Sequence, residues 1–501
     1  MRALDLAIIA IFLVGSPLLG ILLGGKQKSS TDYFVGSRQV PWWAVTFSVV
    51  ATETSTLTVI SVPTVAYLGN ITYLQLAIGY LIGRILVAFV LLPRYYAGDL
   101  VSAYGLLGTR FGKGMQGTAS ITFLVTRLLA DGVRLFATAI PVKMVLSALG
   151  LDVSYWVIIA AIALVAVVYT YLGGIKAVIW VDAIQMGIYV LGAVAAVFFL
   201  AGKLPDGWFG SLADEGKFQF FDFSSNIITN QYAFVTAVVG GALFAMASHG
   251  SDQLMVQRLL ACKNVRDSQK AVIASGVVVF FQFALFLLVG AMLWSFYDGA
   301  APDSLGLSNN DELFPKFIVE QLPSGLSGLL IAGILAAAMS TISSSLNSLS
   351  TSTVSDIYQR VTKKELPDSV VLKQAKLWTL IWAVVFVVFA SMFTSTDQPV
   401  VEVGLSIASY TYGALLGAFA LGILVKRARQ TDAIIAFVAT IVVAAVFVLG
   451  ITFTVDGTEA GLAFPWYVPL GVVVTLVVGG LLSLRHPAPE TDEPDQVKEA
   501  A

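Results

Sequence analysis

The chain has 501 residues, of which 57% are hydrophobic and only 12% charged, and its formal net charge is −2. Soluble domains carry about a quarter of their residues as charges, so too few are present to cover a water-facing surface, and no basic stripe offers itself to nucleic acid. One cysteine, Cys262, and two histidines, His249 and His486, exclude a disulfide scaffold and a metal centre built from those residues.

A helix crossing a bilayer core of about 30 Å needs about 20 apolar residues, and by that test thirteen spans are predicted. The first, Leu6–Leu23, follows a single charge at Arg2 and continues without a small-residue cleavage signature, so it reads as a retained helix and not as a signal peptide. Then come Trp42–Leu68, Tyr73–Leu92, Ile121–Leu149, Trp156–Tyr171, Val178–Leu200, Phe234–Leu254, Val272–Trp294, Leu326–Leu349, Leu377–Phe393, Val400–Val425, Ala433–Phe453 and Pro465–Leu484. Backbone groups in lipid must be satisfied within the segment, and these runs lack the two-residue alternation of a barrel strand, so the class is all-α and polytopic.

Lys and Arg set the orientation. With the N-terminus outside, inner segments hold Lys26, Lys28 and Arg38, then Arg258, Lys263, Arg266 and Lys270, then Arg360, Lys363, Lys364, Lys373 and Lys376, then Lys426, Arg427 and Arg429. Outer segments hold only Arg2, Lys203, Lys217 and Lys316. The C-terminus is then inside, with a polar tail over 487–501 expected to be disordered. The stretches 201–231 and 297–325 are outer loops with room for short capping helices. This is the profile of a transporter, with channels and membrane enzymes as the competing classes.

An ionisable group at membrane depth costs at least a few kcal/mol unless paired or put to use. Glu53, Arg84, Arg127, Asp131, Arg134, Lys143, Asp182, Asp252 and Glu402 all fall in apolar runs. Hydroxyls are concentrated twice: five of the seven residues Thr52–Thr58 in 51-ATETSTLT-58, and ten of fourteen in 340-STISSSLNSLSTST-353. Hydroxyl and carbonyl oxygens suit a small hard cation. The carbonyl of Ala337 lies about one helical turn before Ser340 and Thr341, so three oxygens converge, and Ser340, Ser343, Ser344 and Asn347 share one face. The first cluster would add backbone carbonyls if its helix is interrupted. The competing reading is that these small residues only promote close helix packing.

Four stretches in order, 31-TDYFVGSRQVPWWAVTFSVVAT-52, 169-YTYLGGIKAVIWVDAIQ-185, 251-SDQLMVQRLLACK-263 and 336-AAAMSTISSSLNS-348, resemble the sodium:solute symporter family over about residues 5–430. The resemblance implies the LeuT-type fold, two inverted five-helix repeats (about 40–200 and 231–427) within a core of 31–430. A peripheral first helix (1–30) and two peripheral helices (431–486) flank it. It also implies a sodium site on the carbonyls of Ala51, Thr54 and Ala337 and the hydroxyls of Ser340 and Thr341, where Thr341 stands for a serine and keeps the oxygen. A second sodium, found in some members, falls on Asp182 with Ser340, Ser343 and Ser344, so one or two Na+ ions are expected. By position the solute is met by Glu53, Ser55, Thr58, Gln75, Arg134, Phe244, Ser248, His249 and Tyr410. Arg134 lies where sialic acid carriers bind a carboxylate, a task for which the guanidinium fork is suited. Glu53 departs from their pattern, in which a small hydroxyl stands there.

The implied function is sodium-coupled import of a small polar solute, an organic acid, amino acid or sugar, by alternating access across a plasma membrane, a bacterial inner membrane. The lipid bilayer is a partner and the oligomeric state is open. The alternatives are a proton-coupled carrier with Glu53 or Asp182 as the carrier group, and a ligand sensor that keeps the fold. No nucleophile–base motif or phosphate-cradling loop argues for an enzyme.

Overall fold

The computed structural model describes residues 3–487 apart from 99, 149, 308, 363–365, 393–399 and 456; the predicted tail, save Pro487, lies outside the described residues. In chain order the helices are α1 (Ala3–Gly24), α2 (Ser30–Val35), α3 (Trp42–Glu53), α4 (Thr56–Leu68), α5 (Leu74–Leu86), α6 (Leu92–Ala97), α7 (Ala103–Phe111), α8 (Lys113–Ala148), α9 (Tyr155–Ala201) and α10 (Trp208–Asp214). They continue with α11 (Gly241–Gly250), α12 (Gln253–Leu259), α13 (Val265–Phe296), α14 (Leu313–Glu320), α15 (Leu326–Ser352), α16 (Gln359–Thr362), α17 (Asp368–Ser391), α18 (Val400–Leu424) and α19 (Gln430–Gly450). A small antiparallel hairpin, β1 (Thr452–Val455) and β2 (Thr458–Gly461), precedes α20 (Tyr467–Ser483).

Among the described residues nine helices are long and apolar enough to cross a membrane, or ten if the bent pair α3–α4 is one span. The chain is therefore a multi-pass membrane protein, and the difference from thirteen has identifiable sources. Two predicted spans, Trp156–Tyr171 and Val178–Leu200, lie on α9, whose 47 residues are kinked at Gly174 (φ 57°, ψ −155°). A straight helix of that length would reach about 70 Å, more than twice a bilayer core. Only glycine suits this kink: φ is positive and a Cβ would lie 3.0 Å from the carbonyl of Tyr33. Helix α8, with Arg127, Asp131 and Arg134 in its middle, and the helical stretch Thr236–Gly250, which is short, fall outside the count.

Helix α15 is the centre of the assembly. Every residue from Leu330 to Ser352 is buried, and the helix packs on α1, α3, α8, α9 and α17. Its run of Ala, Ser and Thr lets five neighbours approach closely. Its N-terminus is capped from a distance by α1, where the buried Asp5 carboxylate accepts the amides of Gly325 (2.8 Å) and Gly328 (2.9 Å). A carboxylate there satisfies orphan donors and complements the helix dipole.

Candidate functional site

Helix α3 stops because its hydrogen-bond ladder fails at Ser55. The amide of Thr54 still closes on Val50 (2.9 Å), but that of Ser55 turns to Glu53 (3.0 Å) and leaves the carbonyl of Ala51 without the amide that would complete its turn. The chain bends by 67° and restarts as α4. Thr54 sits in the break, its hydroxyl accepting from Gln282 (2.7 Å), and Thr56 donates to the carbonyl of Ile334 on α15 (3.2 Å). The interruption anticipated from the first hydroxyl run is thus present, against α15. Ala51, Thr54, Ala337, Ser340 and Thr341 are all buried. Thr341 donates to Ala337 (3.1 Å), as the one-turn spacing predicts, and Ser340 donates to Asp182 Oδ1 (2.7 Å).

Asp182, fully buried on α9, is ringed by donors from three other helices. Ser48 of α3 reaches Oδ2 at 2.7 Å and Thr52 at 3.5 Å, Ser340 of α15 takes Oδ1, and the guanidinium of Arg258 on α12 lies 3.4 Å from Oδ2. Arg258 was counted among the inner-loop charges, but it is fully buried and also donates to Ser48, Ser344 and the carbonyl of Leu254. Ser344 thus joins the cluster through Arg258 and Thr52, whereas Ser343 donates to the carbonyl of Ser340 (3.1 Å). Gln185, one turn beyond Asp182, is fully buried. A buried carboxylate inside an apolar run signals a cation partner, but spacing in sequence does not say that α12 supplies it.

A cavity of about 80 Å³ opens beside the break. Of the nine predicted solute contacts it is lined by seven: Glu53, Ser55, Thr58, Arg134, Phe244, Ser248 and His249. The other two do not line it. Gln75 is tied to the loop before α11, donating to the carbonyl of Tyr232 (2.8 Å) and accepting from the amide of Asp222 (3.2 Å), and Tyr410 stacks on Tyr467 with ring centroids 6.0 Å apart. The wall also includes Tyr73, Tyr80, Phe283, Leu254, Met255 and Tyr412, which the sequence reading did not name.

The cavity's charges are paired in a definite order. Glu53 is held by Arg84, which is fully buried and donates onward to Ser275 (2.9 Å). Arg134 gives one N–H to Asp131 (2.9 Å), as their three-residue spacing anticipates. Arg127 pairs with Asp252 and with the hydroxyl of Tyr412, and lies 3.5 Å from Asp131. Asp252 is also the N-cap of α12, accepting the amide of Leu254 (2.8 Å). One ion-paired layer therefore joins α8, α12 and α18, and Ser345 of α15 donates into it at Asp131.

Comparison with known proteins gives this arrangement its context. The model of the sodium:solute symporter family matches residues 33–441. A sodium/sialic acid symporter of Proteus mirabilis (strain HI4320) is 30% identical over 450 residues, 88% of each chain. The sodium-coupled monocarboxylate transporter 1 of Homo sapiens is 29% identical over 444 residues, 87% of this chain and 71% of that one. The solved structure of a Na+-coupled sialic acid symporter, substrate-bound and outward-open, superposes with a TM-score of 0.83 at 27% identity, covering 96% of this chain and 98% of that one. A nucleobase-cation-symport-1 family transporter in a closed conformation shares the fold at a TM-score of 0.56 and 12% identity, over 92% and 95% of the two chains. The broken helix, the hydroxyl-rich α15 and the match across most of the chain lead to one assignment: this chain belongs to the sodium:solute symporter family and works as a sodium-coupled solute symporter.

Proposed function

We propose that the solute is a small organic carboxylate, bound in the cavity beside the α3–α4 break and imported with one or two sodium ions. The observation that carries this reading is Arg134: it lines the cavity and spends a single N–H on Asp131, so the rest of its donor fork is available to a carboxylate.

Sodium is proposed to sit on the carbonyls of Ala51, Thr54 and Ala337 and the hydroxyls of Ser340 and Thr341, joining α3 to α15. A second ion is proposed beside Asp182, with Ser340, Ser343 and Ser344. We place thirteen crossings in the chain, with α9 contributing two, the N-terminus outside and the C-terminus inside, in the inner membrane of a bacterium. The core of 31–430 is taken as two inverted repeats, flanked by 1–30 and 431–486. A second broken helix supports this: α11 stops at Gly250 and α12 begins at Gln253, at the head of the second half as the α3–α4 break stands at the head of the first. Sodium binding would close the break onto α15 and complete the solute site, and its loss to the inside would release the solute. Each sodium entering down 100 mV supplies about 2.3 kcal/mol; an anionic solute offsets one such charge, so the potential itself drives accumulation, roughly fiftyfold, only when a second ion is carried.

The test is thermal stability of the purified protein in choline chloride with increasing sodium. Sodium is expected to raise Tm by mass action, and Ser340→Ala to weaken its affinity at least about tenfold, about 1.4 kcal/mol. Short-chain carboxylates are expected to add a further rise only when sodium is present. A rise on lowering pH with none on adding sodium would overturn the placement of the ion.

A further inference from the structure

We infer that the cavity reads its solute at two poles, and that Glu53 and His249 select a carboxylate that also carries a hydrogen-bond donor, a hydroxyl or an ammonium. The inference rests on the carboxylate reading above and adds the opposite end of the molecule.

His249 is almost completely buried, and its Nδ1 lies 2.8 Å from the hydroxyl of Ser248. That hydroxyl has the carbonyl of Ala245 within reach as an acceptor (3.3 Å), and we assign the tautomer on that basis: the hydroxyl accepts from Nδ1–H and Nε2 carries a bare lone pair. Nε2 is buried and has no hydrogen-bond partner among the described residues. What faces it is another acceptor: Oε2 of Glu53, 3.8 Å away. Arg84 holds that carboxylate, and Oε1 has no donor among the described residues. Glu53, Ser248 and His249 all line the cavity that Arg134 also lines.

Two acceptors facing each other across 3.8 Å, with no donor between them, form an incomplete site. A solute N–H or O–H entering there satisfies Nε2 of His249, which otherwise stays buried and unpaired, and gains the Glu53 carboxylate as a second acceptor. A solute without one leaves Nε2 unsatisfied, and that asymmetry is the physical basis of discrimination by polar pockets. Because Arg84 already neutralises Glu53, the pole asks for a donor and not for a net positive charge, so a neutral hydroxyl qualifies as well as an ammonium. Arg134 holds the carboxylate and the aromatic walls from Tyr80, Phe244 and Phe283 exclude water around the chain between the poles.

The experiment compares propionate, lactate and alanine, which differ only in carrying no donor, a hydroxyl or an ammonium, by thermal shift of the full chain in sodium chloride against choline chloride. Lactate or alanine is expected to bind at least about tenfold more tightly than propionate in sodium. His249→Gln, which leaves the Glu53–Arg84 pair intact, is expected to bring that ratio within about threefold. Glu53→Gln should do the same, but it also strips Arg84 of its carboxylate, so His249→Gln decides. Equal binding of all three acids to the unsubstituted protein, as a resident water on the pole would give, overturns the inference and leaves the carboxylate reading standing. So does a preference that survives His249→Gln. If none of the three shifts Tm in sodium, the carboxylate reading fails and takes this inference with it.

Discussion

Gly290→Leu is expected to yield no folded protein. A Cβ on Gly290 of α13 would lie 1.9 Å from the carbonyl oxygen of Pro63 on α4, with the Pro63 carbonyl carbon at 2.6 Å and its Cα at 2.7 Å. All three are backbone atoms, so no rotamer change relieves the clash. Nor can α4 retreat, because it restarts from the break at Thr54–Ser55 and is held to α15 through Thr56. Overpacking in ordinary cores costs about 1–3 kcal/mol when side chains can adjust; here the helices themselves must separate. Gly83 makes the same kind of contact on the neighbouring pair, 2.1 Å from the carbonyl of Ala242, and Gly83→Leu should behave alike. Gly187, whose Cβ would meet nothing within 4 Å, is the control. Gly187→Ala in mid-helix should be neutral or gain about 0.5–1 kcal/mol. Size-exclusion profiles of detergent-solubilised protein with Tm of the monodisperse peak distinguish these outcomes, and a folded Gly290→Leu protein would show that α4 and α13 are not packed as described.

Arg258→Ala is expected to cost about 3–5 kcal/mol in the absence of sodium, the usual penalty for stripping one partner from a buried ion pair. The loss should be large here because the guanidinium also serves Ser48, Ser344 and the carbonyl of Leu254. Sodium should return part of the loss. With the arginine gone, a cation beside Asp182 and Ser340 supplies the positive charge, so the sodium-induced rise in Tm should exceed that of the unsubstituted protein. Asp182→Asn should not show this gain. A deficit in Arg258→Ala that is the same in sodium and choline would mean that Asp182 holds helices together and takes no ion.

The hydroxyl-rich region proposed for sodium was legible because hydroxyls are conspicuous in apolar sequence. The runs at 51–58 and 340–353 stood out before any packing was known, and Ser340, Thr341 and Ala337 meet as helical spacing requires. What escaped was set by contacts distant in sequence. Arg258 looked like a loop charge because charge counting sees only neighbours in sequence, whereas α12 is buried from end to end. Tyr410 was named where Tyr412 lines the cavity. Two residues on a helix are about 200° apart, so a small error in position selects the opposite face. Gln75 was drawn away by the loop around Asp222 and Tyr232, a segment whose course periodicity does not predict. The approach of His249 to Glu53 joins α11 to the end of α3, a contact distant in sequence that spacing does not predict.

The four acids around the two sites, Glu53, Asp131, Asp182 and Asp252, stand beside four arginines, Arg84, Arg134, Arg258 and Arg127. Empty of cargo, this core carries no net charge from those side chains. A rocking motion of the empty protein would therefore move little charge through the membrane field, and the reset step of the cycle should run at a rate indifferent to voltage. Loaded with one sodium and one monovalent carboxylate it stays neutral, and with two sodium ions it carries a single positive charge, to which each 100 mV contributes about 2.3 kcal/mol. For a monovalent carboxylate such as lactate, whether membrane potential accelerates uptake thus reports the number of ions carried per solute, without the ions having to be counted.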